Sequence, residues 1–264
     1  MSAAAHHYDE YVDFCEGVRR LSGIDLLQYK RGQMERRLRT LAERRGFAPL
    51  KDYLAVLDRD SDELDRFLDR VTINVSQLWR NPEQWAMLGK TIVPELAAAG
   101  RIRAWSAGCS YGAESYTVAA VCYEVAPTTR VEVRGTDIDP RMIERARAGA
   151  FSAEDARTVP PASLERWFER TAGGGVQANA KLRSAVTFDR DDLLTMRVPP
   201  ASYDLVMCRN VVIYFTEEVR DGLHERLASA LRPGGYLLVG STERVTAPAQ
   251  LGLALEHPFV YRKA

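Results

Sequence analysis

Apolar residues change their spacing once along this 264-residue chain, near residue 72. Before that point they recur at helical intervals. In "IDLLQYKRGQMERRLRTLAERRG", Leu27, Met34, Leu38 and Leu41 fall on one stripe at about 100° per residue. Asp25 stands where an N-cap would, Gln28 follows three residues on, and Gly46 lies just past the end, so the pattern predicts one helix from Leu26 to Arg45. "LKDYLAVLDRDSDELDRFLDRVT" reads as further short helices. "NPEQWAMLGKTIVPELAAAG" reads as a connecting helix with Pro82 in its first turn.

From residue 101 strands and helices alternate. "RIRAWSAG", "RVEVRGTDID", "AVTFDRDDLL", "YDLVMCRNVVIYF" and "YLLVGSTE" read as strands. "ESYTVAAVCYEVA", "RMIERARAG" and "EEVRDGLHERLASALR" read as the helices between them. This alternation predicts an α/β fold with a doubly wound, mostly parallel, Rossmann-like sheet, preceded by a small N-terminal all-helical domain. The expected divisions are a helical domain over 1–72, a linker helix over 73–100 and an α/β domain over 101–264. No helix separates "YLLVGSTE" from the closing "LALEHPFVYRK", so one antiparallel strand is expected at an edge. "TAGGGVQANAK" is expected to be a mobile loop.

Composition narrows the function less than the pattern does. Lys and Arg total 36 against 36 Asp and Glu, so no global charge draws the chain to nucleic acid or an anionic membrane. No apolar run is long enough to span a bilayer, and "MSAAAHHYDE" lacks the features of a signal peptide; a cytoplasmic protein without membrane insertion is expected. The four cysteines form no C-x-x-C pair and histidines are few, which argues for reduced thiols and against a metal site.

Candidate chemistry concentrates at "SAGCSYGAE", the turn after the first predicted strand, where a doubly wound sheet places its ligand. The turn is not G-x-G-x-x-G, and no Gly-Lys-Ser/Thr follows to make a phosphate loop. "GCSYG" mimics a nucleophile elbow around Ser110, but that reading needs a late His on a loop, and His257 precedes a strand-like end. The second strand decides between the remaining ligands. Asp137 in "GTDID", about 28 residues beyond the turn, is placed to accept hydrogen bonds from two ribose hydroxyls. S-adenosylmethionine combines a ribose with an amino-acid tail and no phosphate, and Glu114 is available to the tail's ammonium.

"NVSQLWRN", "SAGCSYGAESYT", "GTDID", "FDRDDLL", "DLVMCRNVVIYF" and "LRPGGYLLVGSTE" resemble, in order and spacing, the motifs of the chemoreceptor glutamate O-methyltransferases, the CheR family. The N-terminal "SGIDLLQYKRGQMERRLRTLAERRGF" resembles that family's small helical domain. The resemblance implies S-adenosylmethionine as methyl donor, S-adenosylhomocysteine as product and glutamates on the cytoplasmic helices of chemoreceptors as acceptors. It implies cofactor contacts at Asn74, Ser76, Arg80, Glu114, Asp137, Asp192, Leu193 and Asn210, with Arg209 and Tyr214 at the mouth of the methyl-transfer site. Three departures bear on affinity for the cofactor. Ala113, Glu114 and Ser115 stand where the family has two carboxylates and a Pro, Asp192 where it has Asn, and Leu78–Trp79 where an aromatic pair is usual.

A glutamate is already ionised at neutral pH, so the reaction needs no general base. Arg209 is expected to grip the acceptor carboxylate through its fork while Tyr214 orients it. Arg36, Arg37 and Arg44 form a basic face suited to an acidic receptor helix, and a monomer is expected. The competing readings are a nucleic-acid methyltransferase and a catalytically weak S-adenosylmethionine-binding signalling module. The first lacks an Asn/Asp-Pro-Pro-Tyr/Phe run and aromatics interleaved with its basic cluster. Ala113 and Asp192 keep the second open.

Overall fold

Capping chemistry brackets the first helix, α1 (Glu10–Ser22): the Asp9 carboxylate accepts the Tyr11 N–H, and Gly23 closes the C-terminus in the left-handed region. The computed structural model describes residues 9–72 and 76–264. Three further helices follow α1: α2 (Arg31–Arg44), α3 (Leu50–Leu57) and α4 (Ser61–Val71). Phe14, Tyr53 and Phe67 interlock at their centre with ring centroids 5.8–6.4 Å apart. Their edge-to-face and stacked geometry is the favourable one for aromatic pairs.

The single helix expected from Leu26 to Arg45 is two elements. Asp25 caps a 3₁₀ turn, Leu26–Gln28, by accepting the Leu27 N–H, and Gln28 Nε2 donates to the other carboxylate oxygen. Tyr29 then becomes extended and forms an antiparallel bridge with Phe215. The Lys30 N–H donates to the Tyr214 carbonyl at 2.9 Å and Thr216 N–H to the Gln28 carbonyl at 3.0 Å. Partners distant in sequence therefore break the helix, which local periodicity does not record. Met34, Leu38 and Leu41 form the buried stripe as expected, while Leu27 is only half-buried. Among the described residues the compact helical unit comprises 9–72 together with Tyr214–Thr216, and 76–213 with 217–264 form the second unit.

The second unit opens on α5 (Pro82–Met87), a π turn over Leu88–Ile92 and α6 (Val93–Ala97). Its strands are β1 (Arg101–Ala107), β2 (Arg130–Asp137), β3 (Ala150–Phe151), β4 (Phe168–Arg170), β5 (Val176–Ala178), β6 (Val186–Arg190), β7 (Tyr203–Cys208), β8 (Leu231–Val239), β9 (Leu253–His257) and β10 (Val260–Lys263). Seven of them form one sheet in the order β6-β2-β1-β7-β8-β10-β9. Strands β6 to β8 in that order are mutually parallel, and β10 runs antiparallel to both its neighbours. The antiparallel strand is thus inserted one place in from the edge: the closing segment is a hairpin, and its outer arm, β9, forms the edge.

The helices α7 (Ala113–Val125), α8 (Pro140–Ala148), α9 (Pro161–Trp167), α10 (Ala180–Ala185) and α11 (Glu217–Ala230) supply the crossovers and cover. Nearly every residue of α7 from Ala113 to Cys122 is buried, which explains why its sequence shows no amphipathic stripe. The stretch "TAGGGVQANAK" is not a mobile loop. Its Thr171–Gly175 part turns a hairpin between β4 and β5, closed by the Thr171 N–H on the Gly175 carbonyl, and Asn179 caps α10. Strands β3, β5 and β4 form a small antiparallel sheet in that order. No helix among the described residues is long and apolar enough to cross a membrane.

His224 on α11 is 1% exposed, and neither ring nitrogen has a partner among the described residues. Burial, reinforced by Arg220, lowers its pKa from 6.5 to about 4, against the opposing pull of Asp221. The folded state therefore binds fewer protons than the unfolded state between these values, so stability is full above pH 6.5 and falls as the pH drops towards 4. We expect His224 to cost the protein about 2 kcal/mol of unfolding free energy between pH 7 and pH 5. Denaturant titrations should show His224→Leu losing that part of the pH slope; identical slopes would contradict the assignment.

Candidate active site

Strand order reverses between β1 and β7, and the carboxyl ends of these strands and of β2 make the floor of a site. The turn leaving β1 folds back so that the Gly108 and Cys109 N–H groups both donate to the Thr136 carbonyl at 2.9 Å. Gly108 and Gly112 have φ of +76° and +85°. A Cβ on Gly108 would lie 2.6 Å from Val211, and one on Gly112 2.9 Å from Ala146 and Phe188. The turn is rich in glycine because the backbone is left-handed there and its neighbours leave no room.

Asp137 closes this turn onto β2. Its Oδ2 accepts the Ser110 N–H at 2.8 Å, and its Oδ1 accepts the Asp139 N–H at 3.0 Å. Burial raises the carboxyl pKa, and these N–H donors oppose the rise. The Ile138 N–H adds to the donors that favour the charged form, and a carboxylate, with about four lone-pair sites, keeps acceptor capacity for an added hydroxyl donor. Ser110 is not an elbow nucleophile with His257 as base: His257 lies on β9, four strands from β1, about 19 Å at ordinary strand spacing.

Arg209 occupies the centre of the floor, with its side chain 3% exposed. Nη1 pairs with Glu114 Oε2 at 3.1 Å, and Nε donates to Gln84 Oε1 at 3.0 Å. Nη2 reaches the Arg80 carbonyl, Asn81 Oδ1 and Gln84 Oε1 at 2.9, 3.0 and 2.6 Å. The guanidinium also stacks over Trp85, 5.0 Å from its ring centroid. The fork expected to grip an acceptor carboxylate is instead taken up inside the protein, because α5 and the residues before it deliver acceptors to it from one side and Glu114 from the other. Glu114 is likewise engaged, its second oxygen accepting from Ser106 Oγ at 2.7 Å. It therefore meets any bound ammonium as one half of an ion pair.

The remaining predicted residues divide into three groups. Ser76, Arg80 and Asn210 lie in segments that border the floor: the Ser76 carbonyl accepts from Tyr111, the Arg80 carbonyl from Arg209 and Trp85, and the Asn210 N–H donates to Glu243 Oε2. Asp192 caps its own turn by accepting the Leu194 N–H at 2.9 Å, and Leu193 is buried beside it. Tyr214 belongs to the helical unit, as do Arg36, Arg37 and Arg44. Arg36 and Arg44 are exposed, but Arg37 is half-buried and donates Nε to the Arg70 carbonyl at 2.8 Å, which takes it out of the expected basic face. Asn74 lies outside the described residues.

Several residues that hold this site give little signal in the sequence. Gln84 bridges Arg209 to the Val239 carbonyl at the end of β8. Tyr111 donates to the Ser76 carbonyl and to Asp155 Oδ1, while Thr158 donates to the Leu78 carbonyl, fastening the 76–81 segment to the loop after β3. Trp79, Asn81, Ser110 and Asn210 all have φ between +49° and +60°. Such non-glycine strain gathers where a structure holds groups for function. Among the described residues no cluster of side chains could hold a metal ion.

A doubly wound sheet with this site at its switch point, an acidic residue ending β2 and no phosphate loop fits the class of S-adenosylmethionine-dependent methyltransferases. Comparison with known proteins carries this further. Residues 74–254 match the family described as CheR methyltransferase, SAM binding domain, and residues 9–72 match CheR methyltransferase, all-alpha domain. A chemotaxis protein methyltransferase of Listeria monocytogenes is 34% identical over 96% of this chain and 97% of its own length. One from Vibrio parahaemolyticus is 30% identical over 93% of each chain, and one from Pseudomonas aeruginosa 30% over 92% of each. The chain belongs to the CheR methyltransferase family.

The engagement of Arg209 predicts a specific result. Arg209→Ala leaves Glu114, largely shielded from solvent, without its ion-pair partner and should cost about 3 kcal/mol of unfolding free energy. Denaturant unfolding would check this. A variant within 1 kcal/mol of wild type whose turnover alone has collapsed would restore the reading of an open fork.

Proposed function

We propose that the carboxyl ends of β1, β2 and β7 hold S-adenosylmethionine for methylation of receptor glutamates, leaving glutamate methyl esters and S-adenosylhomocysteine. The chain is a protein-glutamate O-methyltransferase of the chemotaxis family, dependent on S-adenosylmethionine. Asp137 carries the placement of the cofactor. It is a nearly buried carboxylate that fixes the Gly turn and still has acceptor capacity for a ribose hydroxyl. The turn itself, 106–114, contains no cation for a phosphate, in keeping with a ligand that has none.

The residues present fit this group. Asp137 would take the ribose, Glu114 the ammonium of the tail, and Asn210 with the Asp192–Leu193 turn the remaining polar and apolar edges. Ser76 and Arg80 would close over it from the linker. S-adenosylmethionine supplies an electrophilic methyl on a positively charged sulfur. The acceptor is a glutamate carboxylate, ionised at neutral pH without help from a base. Opposite charges cancel as the methyl moves, so a dry, electrically neutral floor favours the transition state over the separated, hydrated charges. The Arg209–Glu114 pair neutralises the guanidinium while keeping both groups hydrogen-bonded. Positioning supplies the rest, and a well-aligned pair of reactants can gain roughly 7–11 kcal/mol this way. Tyr214 is the proposed hydrogen-bond donor that orients the acceptor. The chain is proposed to act as a cytoplasmic monomer on receptor helices.

Transfer of labelled methyl from S-adenosylmethionine to receptor should give a product that alkali hydrolyses, as an ester requires. Label stable to alkali, or no transfer, would contradict the activity. In a binding measurement Asp137→Ala should weaken S-adenosylhomocysteine binding by about 2–3 kcal/mol, the scale of a hydrogen bond to a charged acceptor. Calorimetry giving an unchanged affinity would remove the ribose from Asp137.

Receptor recognition is proposed to use the exposed Arg36 and Arg44, with Arg37 supporting the helix through its bond to the Arg70 carbonyl. Reversing Arg36 and Arg44 to Glu should raise KM for receptor and leave cofactor affinity alone. Exposed charges act on encounter and are screened within about 8–10 Å at ordinary salt, so the wild-type rate should fall with salt and the reversed variant should lose that dependence. Equal salt slopes would make this face ordinary solvated surface.

A further inference from the structure

Glu243 is a buried carboxylate that takes no part in the chemistry described so far. It closes the stretch Gly240-Ser241-Thr242-Glu243 that follows β8, and its N–H returns to the Gly240 carbonyl at 2.9 Å. The residue is 2% exposed. Strands β7 and β8 are parallel neighbours whose last paired residues are Cys208 and Val239. Beyond that pair the two chains diverge, and each leaves an N–H without a ladder partner. Glu243 Oε2 accepts both of them, from Asn210 at 2.8 Å and from Gly240 at 2.7 Å. One oxygen thus staples the exits of two strands at the carboxyl edge of the sheet.

The surroundings are built around that oxygen. A Cβ on Gly240 would lie 2.5 Å from Glu243 Oε2 and 2.9 Å from the Asn210 nitrogen, so only glycine lets the three groups meet. Asn210 holds φ at +60°, a conformation that a side chain disfavours unless neighbouring bonds fix it. Burial pushes the Glu243 carboxyl upward, and backbone N–H groups of Asn210, Gly240, Ile213 and Val211 oppose the rise. Every stabilising donor comes from the loop leaving β7 or from Gly240. The other oxygen, Oε1, is buried with no partner among the described residues. A carboxylate retained at that cost, on backbone donors alone, is serving the loop rather than an ion pair.

We infer that Glu243 is a positioning residue of this active site: by stapling the exits of β7 and β8 it holds the loop 209–213, and Asn210 with it, in the shape that receives S-adenosylmethionine. The inference rests on the methyltransferase reading above, in which Asn210 contacts the cofactor. Gly240 is the second half of the same device. Loss of either should disturb cofactor binding through Asn210, although neither side chain need touch the ligand.

The test uses the full chain as wild type, E243A, E243Q, G240A and the double variant E243A/G240A. S-adenosylhomocysteine binding is measured by calorimetry, methyl transfer to receptor by kinetics and folding by denaturant titration. E243A and G240A should each weaken binding about tenfold or more, the scale of hydrogen bonds to a charged acceptor. The double variant should be no worse than the poorer single variant, because both break one device. E243Q should recover most of the affinity, since an amide oxygen still accepts both N–H groups. In E243A and G240A kcat should fall while KM for receptor changes less than about twofold. Folded E243A with affinity within twofold of wild type, or losses that add in the double variant, would overturn the inference while wild-type binding still supports the functional reading. Failure of the wild-type chain to bind would overturn that reading and this inference with it. If E243A does not fold, G240A decides: weakened binding upholds the staple, and wild-type binding overturns it.

Discussion

A guanidinium buried under the carboxyl ends of a parallel sheet must have its N–H groups taken up nearby, and in this protein that requirement shapes the site. Arg209 stands at the end of β7, yet most of its acceptors come from residues 80–84, before the sheet begins. The ion pair with Glu114 ties the same group to the first turn of α7. Three stretches of chain, distant in sequence, are thereby held to one charged plane. Removing the plane would leave a buried carboxylate and several orphaned acceptors, each costing more than the bond it replaced.

In the proposed reaction the same arrangement sets the electrostatics of the chemistry. An open arginine would attract the acceptor carboxylate and hold it most strongly before reaction, when it is fully charged. A neutral ion pair does not stabilise that ground state, and it leaves the loss of charge in the transition state unopposed. The carboxylate that shapes the Gly turn, Asp137, is held by backbone N–H groups, as Glu243 is on the other side of β7. Acidic groups thus organise the backbone around the site, and Arg209 among them is neutralised.

The outline of the fold was legible because alternating strands and helices leave different periods, and because Asp137 and the Gly turn sit at topologically fixed places. What the sequence hid was long-range. The interruption at Tyr29 depends on Phe215 and Tyr214, which no window around residue 29 contains. The inserted β10 depends on a hairpin whose turn, at Pro258 and Phe259, carries no glycine. Arg209 could be picked out from the sequence but not as a bound group, since its acceptors are the Arg80 carbonyl, the Glu114 carboxylate and the ordinary-looking amides Asn81 and Gln84. Arg37 turned inward to the Arg70 carbonyl for the same kind of reason. Side-chain periodicity shows which face a residue occupies, and partners decide where its polar end goes.

The central claim is that the Arg209 guanidinium is immobilised within the protein before any ligand arrives. Nitrogen-15 NMR of arginine side chains in the free enzyme tests this directly, with the Arg209 signals assigned by comparison with Arg209→Lys. Hydrogen bonds from Nε, Nη1 and Nη2 to fixed acceptors should hinder rotation of the group and slow exchange of its protons with water, giving separate, persistent Nη resonances. A single averaged, rapidly exchanging Nη signal, like that of a solvated arginine, would contradict the account.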